Sequence, residues 1–276
     1  SEGYRVGSYT SPHILKYNER IKIDGHPVDD ETICAAFERI EAVRDGVSLS
    51  YFEFGTLAAI DIFQRSGLDV QLLEVGLGGR LDAVNIIDPD VAIVTGICID
   101  HCDWLGETRE AIAREKTGIF RAGVPAIIGD PEPPASLLQS AEDKCAPFYC
   151  IGKDYSYHRK QESWDWLFGT QSLHDLPLPA LQGSHQFRNA ATVVLALYQI
   201  LDKLPVAESS IRQGLAKVHL SGRYQVIAGD VPVLLDVGHN PQAVRALVEY
   251  LQLSFADRRI VAVFTMMKDK DIKGVL

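Results

Sequence analysis

Apolar residues recur along this chain in two rhythms, and the rhythms take turns. Between Asp30 and Val43, apolar Ile33, Phe37 and Ile40 fall three to four residues apart behind an acidic first turn, which predicts an amphipathic helix. Phe54 to Phe63 predicts a second helix, and Val70 to Val75 a strand after it. Val91 to Ile97 is a nearly unbroken apolar run, the pattern of a central strand covered on both faces. A short helix over Thr108 to Lys116 and a strand over Val124 to Ile128 follow. Helix and strand patterns in alternation predict an α/β fold with a parallel sheet.

Cys145 to Leu178 breaks the rhythm. Its aromatics (Phe148, Tyr149, Tyr155, Tyr157, Trp164, Trp166 and Phe168) alternate with polar residues over short stretches, which predicts an antiparallel appendage. After Pro177-Leu178-Pro179 a helix is expected from about His185 to Leu201 and another over Glu208 to Lys217. A strand at Val233–Val237, a helix from Pro241 to Leu253 and a strand at Arg259–Phe264 then predict one βαβ unit. A domain boundary is therefore expected near Arg223, with residues 1–223 forming one domain and 224–276 the start of another. The chain opens on Ser1, Gly3–Tyr9 reads as a helix exit running directly into a strand, and the chain breaks off at Ile272–Leu276 in what reads as the start of a helix. Both ends are expected to be cuts through folded structure.

Charge narrows the function. With 37 acidic against 27 basic residues, the net charge of −10 argues against a surface built to grip a nucleic-acid backbone, though small anions remain acceptable ligands. No stretch approaches the roughly 20 apolar residues that span a bilayer, and no signal sequence opens the chain. A cytoplasmic protein that works on small molecules, without membrane or nucleic-acid partners and as a monomer, is expected. The 5 cysteines are odd in number and thinly spread, so no disulfide framework is expected. Cys98 and Cys102 flank His101, but no second Cys/His pair at zinc spacing follows, which favours reduced thiols.

Four places could carry chemistry. Glu74-Val75-Gly76-Leu77-Gly78-Gly79-Arg80-Leu81-Asp82 sets a carboxylate at a strand end before a glycine-rich turn, where α/β folds place ligands. As a dinucleotide fingerprint it fails, because position 81 is leucine where a glycine is required. Asp100-His101-Cys102-Asp103 follows another strand and offers an imidazole beside carboxylates, either a metal ligand or a histidine satisfied by its own loop. Arg114-Glu115-Lys116 ends a helix, where a solvated charged face is the simpler reading. Asp236-Val237-Gly238-His239-Asn240-Pro241 presents polar groups at a helix N-terminus, a natural place for anions.

In order along the chain, Thr10-Ser11-Pro12-His13, Tyr51-Phe52-Glu53-Phe54-Gly55-Thr56-Leu57, Glu74 to Asn85, Asp100-His101, Glu115-Lys116, His185-Gln186 with Asn189-Ala190-Ala191, Gly222-Arg223 and Asp236 with His239-Asn240-Pro241 form one pattern. It resembles the bacterial bifunctional folylpolyglutamate synthase/dihydrofolate synthase family of the Mur-ligase superfamily, across essentially the whole chain. The resemblance implies a P-loop-type parallel-sheet domain with a small antiparallel appendage, followed by a truncated Rossmann-like domain. It implies an ATP-dependent ligase that joins L-glutamate to dihydropteroate and to folates through an acyl phosphate, with Mg2+ as the cofactor. Carried over by motif, Ser11, Glu74 and His101 are metal-site residues, and Lys116 is the lysine this family carries as a carbamate. Asn189, Arg223 and Asp236 correspond to ATP contacts, His239 lines the reaction cleft, and Phe52 and Asp82 hold the pterin.

One departure is large. No G-x-x-x-x-G-K-S/T loop occurs, and the nearest pair, Gly152-Lys153, is followed by Asp154 in the appendage. That loop is expected to precede Gly3 in a parent protein, and residues 1–276 alone are expected to be inactive. Rival readings are a synthase restricted to folylpolyglutamates, a non-catalytic folate-binding remnant, and a nicotinamide dehydrogenase resting on Gly76-x-Gly78 alone.

Overall fold

A computed structural model describes residues 2–267 and 271–275. The chain divides into two compact units, Ser1–Asp88 and Pro89–Leu276.

In the first unit, strands β1 (Val6–Tyr9), β2 (Ile21–Ile23), β3 (His26–Pro27) and β4 (Val70–Leu73) form a sheet in the order β3-β2-β1-β4. β1 runs parallel to β4, in register from Val6↔Val70 to Tyr9↔Leu73, and antiparallel to β2. Helices α1 (Asp30–Val43) and α2 (Tyr51–Arg65) pack over the sheet, with Ile33, Ala36 and Ile40 of one helix and Ala58, Ile62 and Phe63 of the other sharing a core with Tyr9 and Ile21. Asp29 caps α1 by accepting from the Thr32 amide at 2.8 Å. Ser50 and Glu53 form a reciprocal capping box on α2, which sets its start ahead of the Phe54 that periodicity suggests.

The second unit is built on a parallel sheet of β5 (Ala92–Val94), β6 (Ala126–Ile128) and β7 (Phe148–Cys150), in that order. Helices α3 (Cys102–Leu105), α4 (Arg109–Lys116) and α5 (Ala135–Asp143) connect these strands. β6 is buried throughout, and its alternation divides two cores. Ala126 and Ile128 pack with Ile112 and Ala113 of α4 and Leu137 of α5. Ile127 points the other way, into a core shared with the antiparallel sheet of β8 (Tyr155–Arg159), β9 (Ser163–Phe168) and β10 (Gln171–Pro177) and with helix α6 (His185–Tyr198). Trp164 and Trp166, two apart on one face of β9, are fully buried and donate their indole N–H groups to the Pro177 and Ala191 carbonyls. Helix α7 (Glu208–Lys217) follows, then a hairpin of β11 (Gln225–Ile227) and β12 (Val233–Leu235), helix α8 (Pro241–Ser254) and the short α9 (Ile272–Val275).

Three expectations change. Phe148–Cys150 belongs to the parallel sheet, so only β8 to β10 form the antiparallel appendage. The predicted βαβ unit is not formed among the described residues, because β12 pairs antiparallel with β11 and Arg259–Phe264 is not a strand. Val263 is 99% exposed, and without a neighbouring ladder an apolar run has nothing to pair with. Helix α6 stops at Tyr198, short of Leu201.

Candidate active site

In the first unit the carboxylates of Glu74 and Asp82 are tied to backbone. Glu74 lies just past β4, its amide bonded to the Tyr9 carbonyl at 2.9 Å, and its carboxylate accepts from the Ser11 amide at 2.8 Å. It thereby joins the ends of two parallel strands. Asp82 accepts from the amides of Gly76 (3.0 Å), Leu77 (2.9 Å) and Val84 (2.9 Å), pinning the glycine-rich turn and capping the 3-10 turn Ala83–Ile86. Phe52 projects from α2 over that turn, where a Cβ on Gly76 would lie 2.5 Å from the ring. Glycine at 76 thus serves close aromatic packing. In the 3-10 turn Tyr17–Arg20 before β2, Glu19 accepts from the amides of Ile14, Leu15 and Lys16, which lowers its carboxyl to about 2.

The second unit holds a cavity of about 1120 Å³, bordered by the segment that leaves β5 and by the turn into α8. Arg109 and Asp130 shape its wall. Asp130, buried at the end of β6, accepts from the Ile97 amide (2.7 Å), the Glu132 amide (3.0 Å) and Arg109 (2.9 Å). Arg109 also donates to the Ile97 and Glu132 carbonyls. This brace holds the Ile97–Asp100 segment, whose next residue, His101, adopts a left-handed backbone at φ 53°.

At the cavity, Asp100, His101 and His239 each offer a ligand atom, all within 4.8 Å of one another. His239 Nδ1 lies 3.0 Å from the Val237 carbonyl and donates to it, which turns the Nε2 lone pair toward Asp100 Oδ2 at 3.6 Å. His101 Nε2 is 3.9 Å from Asp100 Oδ1. A lone pair facing a carboxylate at that range is favourable once a proton or a cation lies between them, so this donor set fits a divalent metal ion. Asn240 locks the arrangement: Oδ1 caps α8 through the Ala243 amide (2.9 Å), while Nδ2 donates to Asp100 Oδ2 (3.3 Å).

The remaining predicted residues of this unit lie outside the cavity lining. Lys116 is half-buried at the end of α4, and its charge opposes the rise that burial and Asp100 impose on the Cys98 thiol. Asn189 donates to Gln186 Oε1 at 3.2 Å. Asp236 accepts from the Tyr224 and Gly238 amides (3.2 and 2.7 Å) and, like the exposed Arg223, acts electrostatically on His185. Asp100, which the sequence offers only as a carboxylate beside His101, is the residue on which the two histidines meet. The Arg109–Asp130 brace was missed, although an aspartate just past a buried strand is the same signal that singled out Glu74.

Residues 222–276 match the family model described as Mur ligase, glutamate ligase domain, which marks that segment as of the Mur-ligase class. The Escherichia coli dihydrofolate synthase/folylpolyglutamate synthase is 43% identical over 99% of this chain and 64% of its own length. That of Bacillus subtilis is 31% identical over 99% of this chain and 67% of its own length. Two solved structures agree. FolC of E. coli in complex with DHPP and ADP superposes with a TM-score of 0.94 at 43% identity, over 99% of this chain and 65% of that one. The Yersinia pestis bifunctional synthase complexed with AMPPNP and a Mn ion gives 0.92 at 44% identity, over the same 99% and 65%. The chain belongs to the dihydrofolate synthase/folylpolyglutamate synthase family. It spans about 64% of the length of the E. coli relative.

Proposed function

We propose that the protein to which this chain belongs is an ATP-dependent ligase that adds L-glutamate to dihydropteroate and to folates. The observation that carries the reading is the convergence of Asp100, His101 and His239, which joins motifs as far apart as Asp100 and Asn240, 140 residues, at one cavity. Relatives that bind ADP with DHPP, or AMPPNP with Mn, support it.

The substrate carboxylate attacks the γ-phosphorus of ATP, ADP leaves, and a C–O–P bond forms. The uncharged amine of glutamate then attacks the carbonyl carbon, phosphate departs with the former carboxylate oxygen, and an amide remains. Ser11, Glu74 and His101 are each assigned a metal-binding role, and Mg2+, when bound, would offset the repulsion between carboxylate and triphosphate. His239, its ring fixed by Val237, is left off the metal in this assignment, so that its Nε2 can accept a proton from the glutamate amine. Phe52 offers an aromatic face, and Asp82, beyond its three amide bonds, retains acceptor capacity for ring N–H groups of the pterin. Asn189, Arg223 and Asp236 are assigned to ATP. Lys116 is assigned as a carbamate, which replaces a positive charge with hard oxygen donors. We further assign residues 1–223 to the central domain and 224–276 to the C-terminal one. Five free cysteines suit a reducing compartment, the cytoplasm, and no helix among the described residues is long and apolar enough to cross a membrane.

The test is incubation of the full-length protein with dihydropteroate, L-glutamate, ATP and Mg2+. One ADP and one phosphate per dihydrofolate are expected. Product from tetrahydrofolate but none from dihydropteroate would restrict the assignment to folylpolyglutamate synthesis, and product from neither would overturn it.

A further inference from the structure

Two arginines border the cavity of the second unit with opposite commitments. Arg109 spends its guanidinium on the Ile97 carbonyl, the Glu132 carbonyl and the Asp130 carboxylate. Arg188, in the first turn of α6, makes no side-chain hydrogen bond or ion pair among the described residues, and its Nε is buried without an acceptor. Guanidinium groups removed from water are ordinarily paired, since an uncompensated cation is costly to hold.

Among the described residues, the neighbouring side chains offer Arg188 no acceptor. Gln186 accepts at Oε1 from Asn189 and so presents its NH2 group to His185 Nε2 at 3.0 Å. His185 must then accept at Nε2 and carry its proton on Nδ1, as a neutral ring. Burial lowers the His185 pKa, and the charge of Arg188 lowers it further. Arg188 is thus a planar cation with free N–H donors at the wall of the cavity that also holds Asp100, His101 and His239.

We propose that Arg188 is a substrate-binding residue that takes an oxyanion of the ligand in this cavity, through paired N–H donors. Two sources share that chemistry under the function proposed above, on which the inference rests: a phosphate of the nucleotide and a carboxylate of the amino acid. Arginine suits either, because its fork matches two oxygens at once.

The experiment measures binding and turnover separately in the full-length protein. Calorimetric Kd for Mg2+-AMPPNP and KM for L-glutamate are compared between wild type, Arg188→Met and Arg188→Lys, with thermal unfolding as a check. Loss of a charged hydrogen bond is expected to weaken one ligand at least about tenfold in Arg188→Met, with Arg188→Lys intermediate. A shift confined to AMPPNP assigns the phosphate, and one confined to glutamate assigns the carboxylate. Should Arg188→Met fail to fold, Arg188→Gln decides on the same criteria. Unchanged Kd and KM in a folded, neutral variant of an active protein would overturn the inference. A wild type that binds AMPPNP in an Arg188-dependent way but ligates nothing would instead overturn the proposed function and leave this site standing.

Discussion

The glycine-rich turn of the first unit and the cavity of the second both gather acidic and aromatic side chains at strand ends, yet they use them differently. Glu74, Asp82 and Glu19 receive backbone amides, seven in all, and hold loops in place. In the cavity, His239 and Arg188 keep a lone pair and a set of donors in reserve, while the structural work falls to Asp130, Arg109 and Asn240. A carboxylate bonded to amides positions a surface. A group left with spare capacity can act on a ligand. Loss of the first kind should therefore cost stability whatever it does to a ligand, and loss of the second mainly activity.

The largest separation is expected at His239. Its replacement by alanine should lower ligation turnover about a hundredfold or more, the scale of a lost acid–base group, while unfolding free energy stays within about 0.5 kcal/mol because the side chain is exposed. Steady-state kinetics beside denaturant titration would show it, and a comparable loss of stability would erase the contrast. Gly76→Ala should act in the opposite sense, on structure first. The new Cβ would meet the Phe52 ring at 2.5 Å, and displacing that ring is expected to cost about 1–3 kcal/mol. A variant as stable as wild type would mean that Phe52 moves freely. Asp82→Ala should cost about 1–2 kcal/mol through its lost capping bonds, and should weaken dihydropteroate more than ATP. Unaltered stability with weakened pterin would move Asp82 to the other side of the comparison.

The smallest effect is a titration. Three amides hold the Glu19 carboxyl at about 2, below its ordinary 4.5. A depressed pKa in the folded state stabilises the fold above the unfolded value and ceases to do so as pH falls through the folded one. Amide protection at Ile14, Leu15 and Lys16 should therefore persist at pH 4 and fade toward pH 2, followed by NMR. Fading centred on pH 4.5 would show that these bonds do not form in solution.

Much of the fold was legible because periodicity reports burial. The bounds of α1 follow from apolar spacing, but the unbroken run at Val91–Ile97, which reads as a central strand, forms only the three residues of β5 at the end of the described order β5-β6-β7, and the central place falls to β6, with a core on either face. Pairing was less legible. Phe148–Cys150 alternates like its antiparallel successors but joins the parallel sheet, since a strand of 3 residues carries no mark of its neighbour's direction. Arg259–Phe264 has the composition of a buried strand and lacks the ladder. At the site, motifs revealed His101 and His239 separately, but their meeting at Asp100 is a tertiary fact. Arg188 carried no signal at all, because what distinguishes it is the lack of an acceptor among the described residues.

Central to the proposed reaction is the conversion of the substrate carboxylate into the acyl phosphate. Dihydropteroate labelled with oxygen-18 in its carboxylate, turned over by the full-length protein with ATP, L-glutamate and Mg2+, tests this through the mass of the released phosphate. One labelled oxygen per phosphate is the predicted result. Unlabelled phosphate accompanying dihydrofolate formation would contradict it.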